Sequence, residues 1–176
     1  MELLELMYAR RSVRKYKDEP IPKEKLEKIV KAGLLGATGR NTHSPEFIVV
    51  TDKEMLEKLS HARVGAANML SGAGACVVVL GNEKKTDTFV EDASIAMENM
   101  HLMADSLGLG SCWIQGKGRE AENGESTENF VRSLLGFPEN LRLVAILSLG
   151  EIEEKDHPRA YTDNDLDFSR VHSGKY

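Results

Sequence analysis

Apolar residues recur at helical spacing in five stretches of the chain. In the stretch that begins at Lys23, Leu26, Ile29 and Val30 fall on one face with lysines and glutamates between them, which is typical of an amphipathic surface helix. A proline-rich turn precedes it, because proline fixes φ and disfavours helix in the residue before it. The predicted helices are residues 2–9, 23–34, 53–70 with a break at Gly65, 90–107 and 127–135.

Runs of β-branched and other apolar residues predict the strands. Such runs, bounded by polar residues and glycine, are typical of strands buried in a sheet. Residues 36–45 have no period and are rich in residues that break regular structure, so they predict a loop. The predicted strands are residues 47–50, 75–80, 111–114 and 142–149. Four or five strands interleaved with helices indicate an α/β-type sandwich, whose strand order stays open.

Two parts of the chain suggest contacts beyond a single copy. The apolar residues of the 90–107 helix cover most of its circumference, and such a helix is buried by protein on every side. In a chain of 176 residues this predicts a subunit interface. The tail from Glu151 is polar, contains Pro158 and has few apolar anchors. It has too little apolar surface for its own core, so it either packs on something else or stays disordered.

Composition narrows the class of protein. A length of 176 residues with 41% hydrophobic residues favours one domain with a sizeable core. The net charge of −5 argues against a nucleic-acid binder, and no apolar stretch approaches the roughly 18 residues of a membrane helix. Cys76 and Cys112 both lie in apolar runs, where buried free thiols are ordinary. We therefore expect a cytoplasmic protein with neither disulfides nor a metal site.

Candidate chemistry is concentrated in one basic cluster. The chain has no dinucleotide fingerprint, no phosphate-binding loop and no pair of histidines at metal-ligand spacing. Five of the 23 lysines and arginines lie between Arg10 and Lys17. Such a cluster is either a solvated face or an anion site. Residues 10–14, Arg-Arg-Ser-Val-Arg, are called the basic segment below. Its guanidinium groups and hydroxyl are able to meet a phosphate through charge-assisted hydrogen bonds.

The basic segment is also the first of four segments that resemble the nitroreductase family. In that family a short first helix runs into Arg-Arg-Ser-x-Arg. Residues 40–50 resemble the family's Asn-x-Gln-Pro-Trp-x-Phe-x-Val-Val loop and strand, although His43, Ser44 and Pro45 stand in place of Gln-Pro-Trp. Residues 107–114 resemble its Gly-Leu-Gly-x-x-Trp-Ile segment. Residues 136–138, with the strand that ends at residues 149–151, resemble its C-terminal third.

The resemblance implies an α+β fold and a dimer that binds FMN. The fold would be a three-layer α/β/α sandwich with a mostly antiparallel sheet of four to five strands and a buried helix at the dimer interface. Residues 1–176 would form a single domain, with residues 151–176 as an arm on the partner subunit. FMN would lie at the interface of the homodimer. NADH or NADPH would donate electrons.

The same resemblance assigns the phosphate and one edge of the flavin ring. Arg10 and Ser12 would hold the phosphate with help from Arg11, and Arg159 in the arm would complete this site. Arg14 would lie near N1 and O2 of the ring, where its charge would raise the two-electron potential.

The remaining cofactor residues would come from three other segments. Gln115 and Gly116 fall where the family presents a backbone amide to flavin N5, directly after Trp113 and Ile114 of the matching segment. Asn68 is a candidate for the pyrimidine edge, with a helix-surface asparagine as the equal alternative. The loop of residues 39–43 would reach in from the other subunit, with three candidate residues: Gly39, Asn41 and His43.

The implied reaction is a ping-pong transfer of hydride through N5. NAD(P)H would reduce the flavin and leave, and a nitroaromatic, a quinone or a similar small acceptor would then take its place. Residues 117–126 are short and polar, where larger relatives carry covering helices, so we expect an open substrate pocket. Three alternatives remain: a relative that fragments flavin or removes halogens, a flavin-binding protein without turnover, and a basic surface that binds no cofactor.

Overall fold

The computed structural model describes residues 2–176, leaving aside the side chain of residue 154. Within this part, five helices and four strands are joined by loops and short 3-10 turns. The helices are α1 (Leu3–Ala9), α2 (Lys23–Leu34), α3 (Lys53–Leu59), α4 (Phe89–Ser106) and α5 (Thr127–Leu135). The strands are β1 (Pro45–Val50), β2 (Ala75–Asn82), β3 (Leu109–Gln115) and β4 (Leu141–Glu151).

The strands form one antiparallel sheet in the order β1-β2-β4-β3. Side chains of β2 alternate between two cores: Val77 and Val79 pack with α2 and α4, whereas Cys76 and Val78 pack with α3 and α5. Because both faces are covered, every residue of β2 is buried. The α+β fold with three layers, α/β/α, is confirmed, and the sheet has four strands.

The prediction of a helix over residues 53–70 is correct only for its first part. Helix α3 ends at Leu59, and the Ser60 hydroxyl then donates to the Glu57 carbonyl. Gly65 has a left-handed φ of 66°, and a 3-10 turn follows at Asn68–Leu70. Ala62, Ala67 and Leu70 are nevertheless fully buried in the second core. Their apolar spacing therefore reflects burial of an irregular segment, which the pattern alone does not distinguish from a helix.

The basic segment wraps over the edge strand β3. Ser12 pairs with Ser111, and the Val13 N–H donates to the Ser111 carbonyl at 2.9 Å. Beyond the segment, Tyr16 lies on Gly150 of β4, where an added Cβ would meet the tyrosine ring at 2.5 Å. The Tyr16 hydroxyl donates to the Val13 carbonyl at 2.7 Å. These contacts hold residues 12–16 against β3 and the neighbouring strand β4.

Apolar side chains remain exposed on the helices of a single copy. Although α4 contributes to the main core, its Ile95 is 42% exposed. Leu3 and Leu4 of α1 and Leu34 at the end of α2 are also exposed. Residues 161–176 of the tail are exposed throughout. No helix among residues 2–176 is long and apolar enough to cross a membrane.

Candidate functional site

Ser12, in the middle of the basic segment, pairs with Ser111 as a strand residue would, and neighbouring side chains of a strand point in opposite directions. Val13 is buried, with 5% of its surface exposed, and lies against Gly110 of β3. Ser12 and Arg14, on either side of it, are more exposed. One buried valine therefore anchors the segment and leaves its polar groups available.

The charges of three arginines act on the thiol of Cys112 on β3. Burial raises the pKa of this thiol, while the charge of Arg14, the nearby Ser12 hydroxyl, and the charges of Arg10 and Arg63 act in the opposite direction. Three guanidinium charges are therefore near enough to Cys112 to favour its ionised form. Arg63 was not predicted, because nothing in its sequence context distinguishes it from a surface arginine.

These guanidinium groups have few acidic partners. Among described side chains, Arg10 has one carboxylate within 4 Å, that of Glu98 at 3.9 Å, whereas Arg14 and Arg63 have none. Weakly paired guanidinium groups together with the hydroxyl of Ser12 suit an anion that bears several oxygen atoms. The donor set therefore fits a phosphate and the electron-rich edge of a flavin.

Arg11 and Arg159 are engaged with the tail. The Arg11 guanidinium donates to the Arg159 carbonyl at 2.6 Å and lies 4.0 Å from the centroid of the Tyr161 ring. The Arg159 guanidinium binds Asp165 at 2.7 Å and holds the pKa of that carboxyl well below its usual range. In a single copy, the Arg159 carbonyl and the Tyr161 ring of the tail thus contact Arg11, while the Arg159 guanidinium is paired with Asp165.

The end of β3 carries two candidates for the expected amide, the N–H groups of Gln115 and Gly116, which point in different directions. The Gly116 N–H donates to the Val144 carbonyl of β4 at 3.1 Å. Peptide groups alternate in direction along a strand, and that of Ser111 points to the outer edge. The Gln115 N–H therefore points outward as well. Its side chain is fixed, because Trp113 Nε1 donates to Gln115 Oε1 at 2.9 Å. The Gln115 N–H is the better candidate for contact with flavin N5.

The segment that carries Arg63 and Asn68 is held against the loop that follows β3. The Val64 N–H donates to the Glu120 carbonyl at 3.0 Å. His61 Nδ1 also lies 2.7 Å from Glu122 Oε2. Asn68 begins the 3-10 turn between α3 and β2, and its side chain is exposed. It is a surface residue of a short turn in a single copy, and its place at the pyrimidine edge stays a prediction.

Beyond Gly116, an open cleft of about 910 Å³ lies between the end of the sheet and α5. Lys117 and Arg119 line it on one side, and Ser126 and Asn129 on the other. No cluster of His, Cys, Asp or Glu in the described part of the chain is suited to a metal ion. The cleft is therefore a polar opening beside the end of β3.

The 39–43 loop lies at the other edge of the sheet. It leads into β1, whereas the basic segment covers β3, and β2 and β4 separate the two. Arg40, Asn41 and His43 all have left-handed φ angles, between 47° and 56°, which cost about 1 kcal/mol each in residues other than glycine. Their side chains are exposed. One copy of the chain therefore does not bring this loop to the basic segment.

Known proteins with a similar sequence or fold match nearly the whole chain. A model described as the nitroreductase family matches residues 7–68 and 59–151. A provisionally named NADH dehydrogenase/NAD(P)H nitroreductase from Archaeoglobus fulgidus is 39% identical over 180 residues, covering 99% of each chain. The NADPH-flavin oxidoreductase of Vibrio harveyi is 27% identical, covering 86% of this chain and 66% of its own. The solved structure of an FMN-dependent nitroreductase from Clostridium difficile superposes with a TM-score of 0.93 at 40% identity, covering 98% of this chain and 99% of that one.

Proposed function

Because this chain belongs to the nitroreductase family, we propose that it is an FMN-dependent enzyme that moves hydride from NADH or NADPH to a small organic acceptor. Nitroaromatics and quinones are the acceptor classes. The observation that carries the proposal is the pairing of Ser12 with Ser111 on β3, on which strand the charges of Arg10, Arg14 and Arg63 all act on Cys112. The whole chain works as one FMN-binding domain.

The residues of the site divide into three roles. Arg10 and Ser12 would hold the phosphate, with Arg11 nearby, and Arg14 and Arg63 would lie along the electron-rich edge of the ring. The Gln115 N–H, on the outer edge of β3, would hold the ring at N5. FMN, when bound, supplies N5 as the atom that accepts and donates hydride. The protein contributes position and positive charge, and both substrates use the same opening in turn.

A homodimer completes the site in this proposal. The 39–43 loop is too far around the sheet to serve the basic segment of its own chain, so it would serve that of a second copy. Exposed Leu3, Leu34 and Ile95 supply apolar surface for the contact. The tail, exposed from residue 161 onward, would pack on the partner, and Arg159 would then complete the phosphate site. Because Cys76 and Cys112 are free thiols, we place the protein in the reducing cytoplasm.

Steady-state oxidation of NADH and NADPH by the FMN-loaded protein tests the proposed reaction. With menadione or a nitroarene as acceptor, we expect turnover and parallel lines in double-reciprocal plots, the pattern of a ping-pong mechanism. Retained FMN without any turnover would contradict the enzyme and favour a flavin-binding protein. Loss of halogen from a haloarene, or breakdown of the flavin, without reduction of these acceptors would favour the other branches of the family.

A further inference from the structure

A buried carboxylate fixes both ends of the 39–43 loop. Asp92, in the first turn of α4, is 2% exposed. Its Oδ1 accepts the Gly39 N–H at 2.8 Å, and its Oδ2 accepts the Ser44 hydroxyl at 2.6 Å. The Thr88 hydroxyl is a longer donor at 3.4 Å. One side chain of α4 therefore binds the residue that begins the loop and the residue that follows it.

The loop itself has a conformation that its sequence does not favour. Arg40, Asn41 and His43 have left-handed φ angles, and an observed backbone strain of this kind persists only where its surroundings enforce it. At Gly39, an added Cβ would meet the Thr88 hydroxyl oxygen at 2.5 Å, so the close approach of loop and helix requires glycine. Exposed charges also touch the loop, since Arg40 binds Asp87 at 3.2 Å and Lys85 Nζ donates to the His43 carbonyl at 3.1 Å. The bonds to Asp92 are the buried charged contacts that hold this strained loop in place.

We propose that Asp92 is a positioning residue that keeps the 39–43 loop ready to complete the FMN site of a second copy. The inference rests on the proposed function. Asp92 is too deeply buried to touch a cofactor and acts through the backbone of the loop. The strained residues turn their side chains to solvent in a single copy, which is the arrangement a second copy needs for contact.

Asp92→Ala removes both acceptors and should raise the Kd for FMN at least about tenfold, since hydrogen bonds to charged groups are strong. Asp92→Asn keeps an acceptor for the Gly39 N–H and a polar partner for Ser44, and should stay within about threefold of the wild type. Glu91→Gln removes an exposed charge from the adjacent position and is the matched control. Fluorescence titration with FMN gives the Kd, and circular dichroism confirms that each variant is folded.

Mixed dimers separate positioning from a general loss of stability. One chain carries Asp92→Ala, the other carries Arg10→Ala with Arg14→Ala, and two affinity tags isolate the mixed pair after co-expression. One of its sites combines both defects, whereas the other combines an intact loop with an intact basic segment. We expect the mixed dimer to bind one FMN with the wild-type Kd. Each of the two mutant homodimers should bind FMN only weakly.

The possible results distinguish a failure of the proposed role of Asp92 from a failure of the proposed function. An Asp92→Ala homodimer with the wild-type Kd, or a mixed dimer without a restored site, would overturn the role of Asp92 while leaving FMN binding by the wild type intact. If the Asp92→Ala chain folds poorly, Ser44→Ala takes its place, because it removes only the donor to Asp92 Oδ2; a wild-type Kd for FMN in that variant would overturn the role of Asp92. A wild-type chain that binds no FMN would refute the proposed function as well.

Discussion

His101 couples the stability of the fold to pH directly beneath the basic segment. The residue belongs to α4 and is 3% exposed, and its Nδ1 lies 2.8 Å from Ser111 Oγ of β3. Burial, followed by the positive charge of Arg10, lowers the pKa of His101 from 6.5 to about 4. The folded protein therefore keeps this ring neutral at pH values where the unfolded chain already binds a proton.

The free energy of unfolding should fall as the pH drops from 6.5 toward 4, because only the unfolded chain gains a proton in that window. The contribution is fully present above the unfolded pKa and is lost as the pH approaches the folded pKa. From the two pKa values, the loss is about 2 kcal/mol at pH 5 and about 3 kcal/mol once the pH is below 4. This is a large share of the stability of an ordinary domain.

The variant His101→Gln removes the titrating ring and keeps a polar group opposite Ser111. Between pH 7.5 and pH 5, its unfolding free energy should decrease by about 2 kcal/mol less than that of the wild type. Urea unfolding followed by circular dichroism, at one protein concentration and without added FMN, measures this difference. His172→Gln, which removes an exposed histidine of the tail, is the control. Equal pH dependence in His101→Gln and wild type would refute the reasoning.

Two further predictions concern the path and the charge of the basic segment. Replacing Arg10 and Arg14 together with alanine removes two charged partners worth about 1.5 kcal/mol or more each. The Kd for FMN, measured by fluorescence titration, should rise about a hundredfold or more; unchanged retention of FMN would argue against the site. Gly150→Ala places a Cβ 2.5 Å from the ring of the tyrosine that follows the segment. It should lower the unfolding free energy by about 1 to 3 kcal/mol, whereas Gly72→Ala, which meets nothing within 4 Å, should change it little; equal effects in urea unfolding would contradict the packing described.

Helix α5 has the bounds predicted from the sequence, residues 127–135. The Ser126 hydroxyl accepts the N–H of Asn129 at the start of the helix, and Gly136 ends it with a left-handed φ of 71°. Both signals are carried by the residues at the ends themselves, so a sequence reveals them. Residues 60–70 lack such signals, and only the packing of Ala62 and Leu70 into the core explains their apolar spacing.

The sequence offers candidate site residues where a motif is continuous and misses candidates that only folding brings near it. The basic segment and Gln115 lie in short stretches that resemble the family, so their residues became candidates together. Arg63 joins them only because the irregular segment after α3 returns to β3. Asp92 gave a usable signal, a carboxylate beside Ala93 on the apolar side of α4, but its partners lie some fifty residues earlier in the chain. The strand order that separates the 39–43 loop from the basic segment depends on such distant pairings.

Anaerobic mixing of the FMN-loaded protein with NADH or NADPH tests the central claim most directly. The visible absorbance of the bound flavin is recorded before mixing, after mixing, and again after addition of menadione. We predict that the flavin band bleaches in proportion to the NAD(P)H added and returns when the acceptor is supplied, without release of FMN. A protein that retains no FMN, or whose flavin band is unchanged by either nucleotide, would contradict the assignment of this chain as an FMN-dependent oxidoreductase.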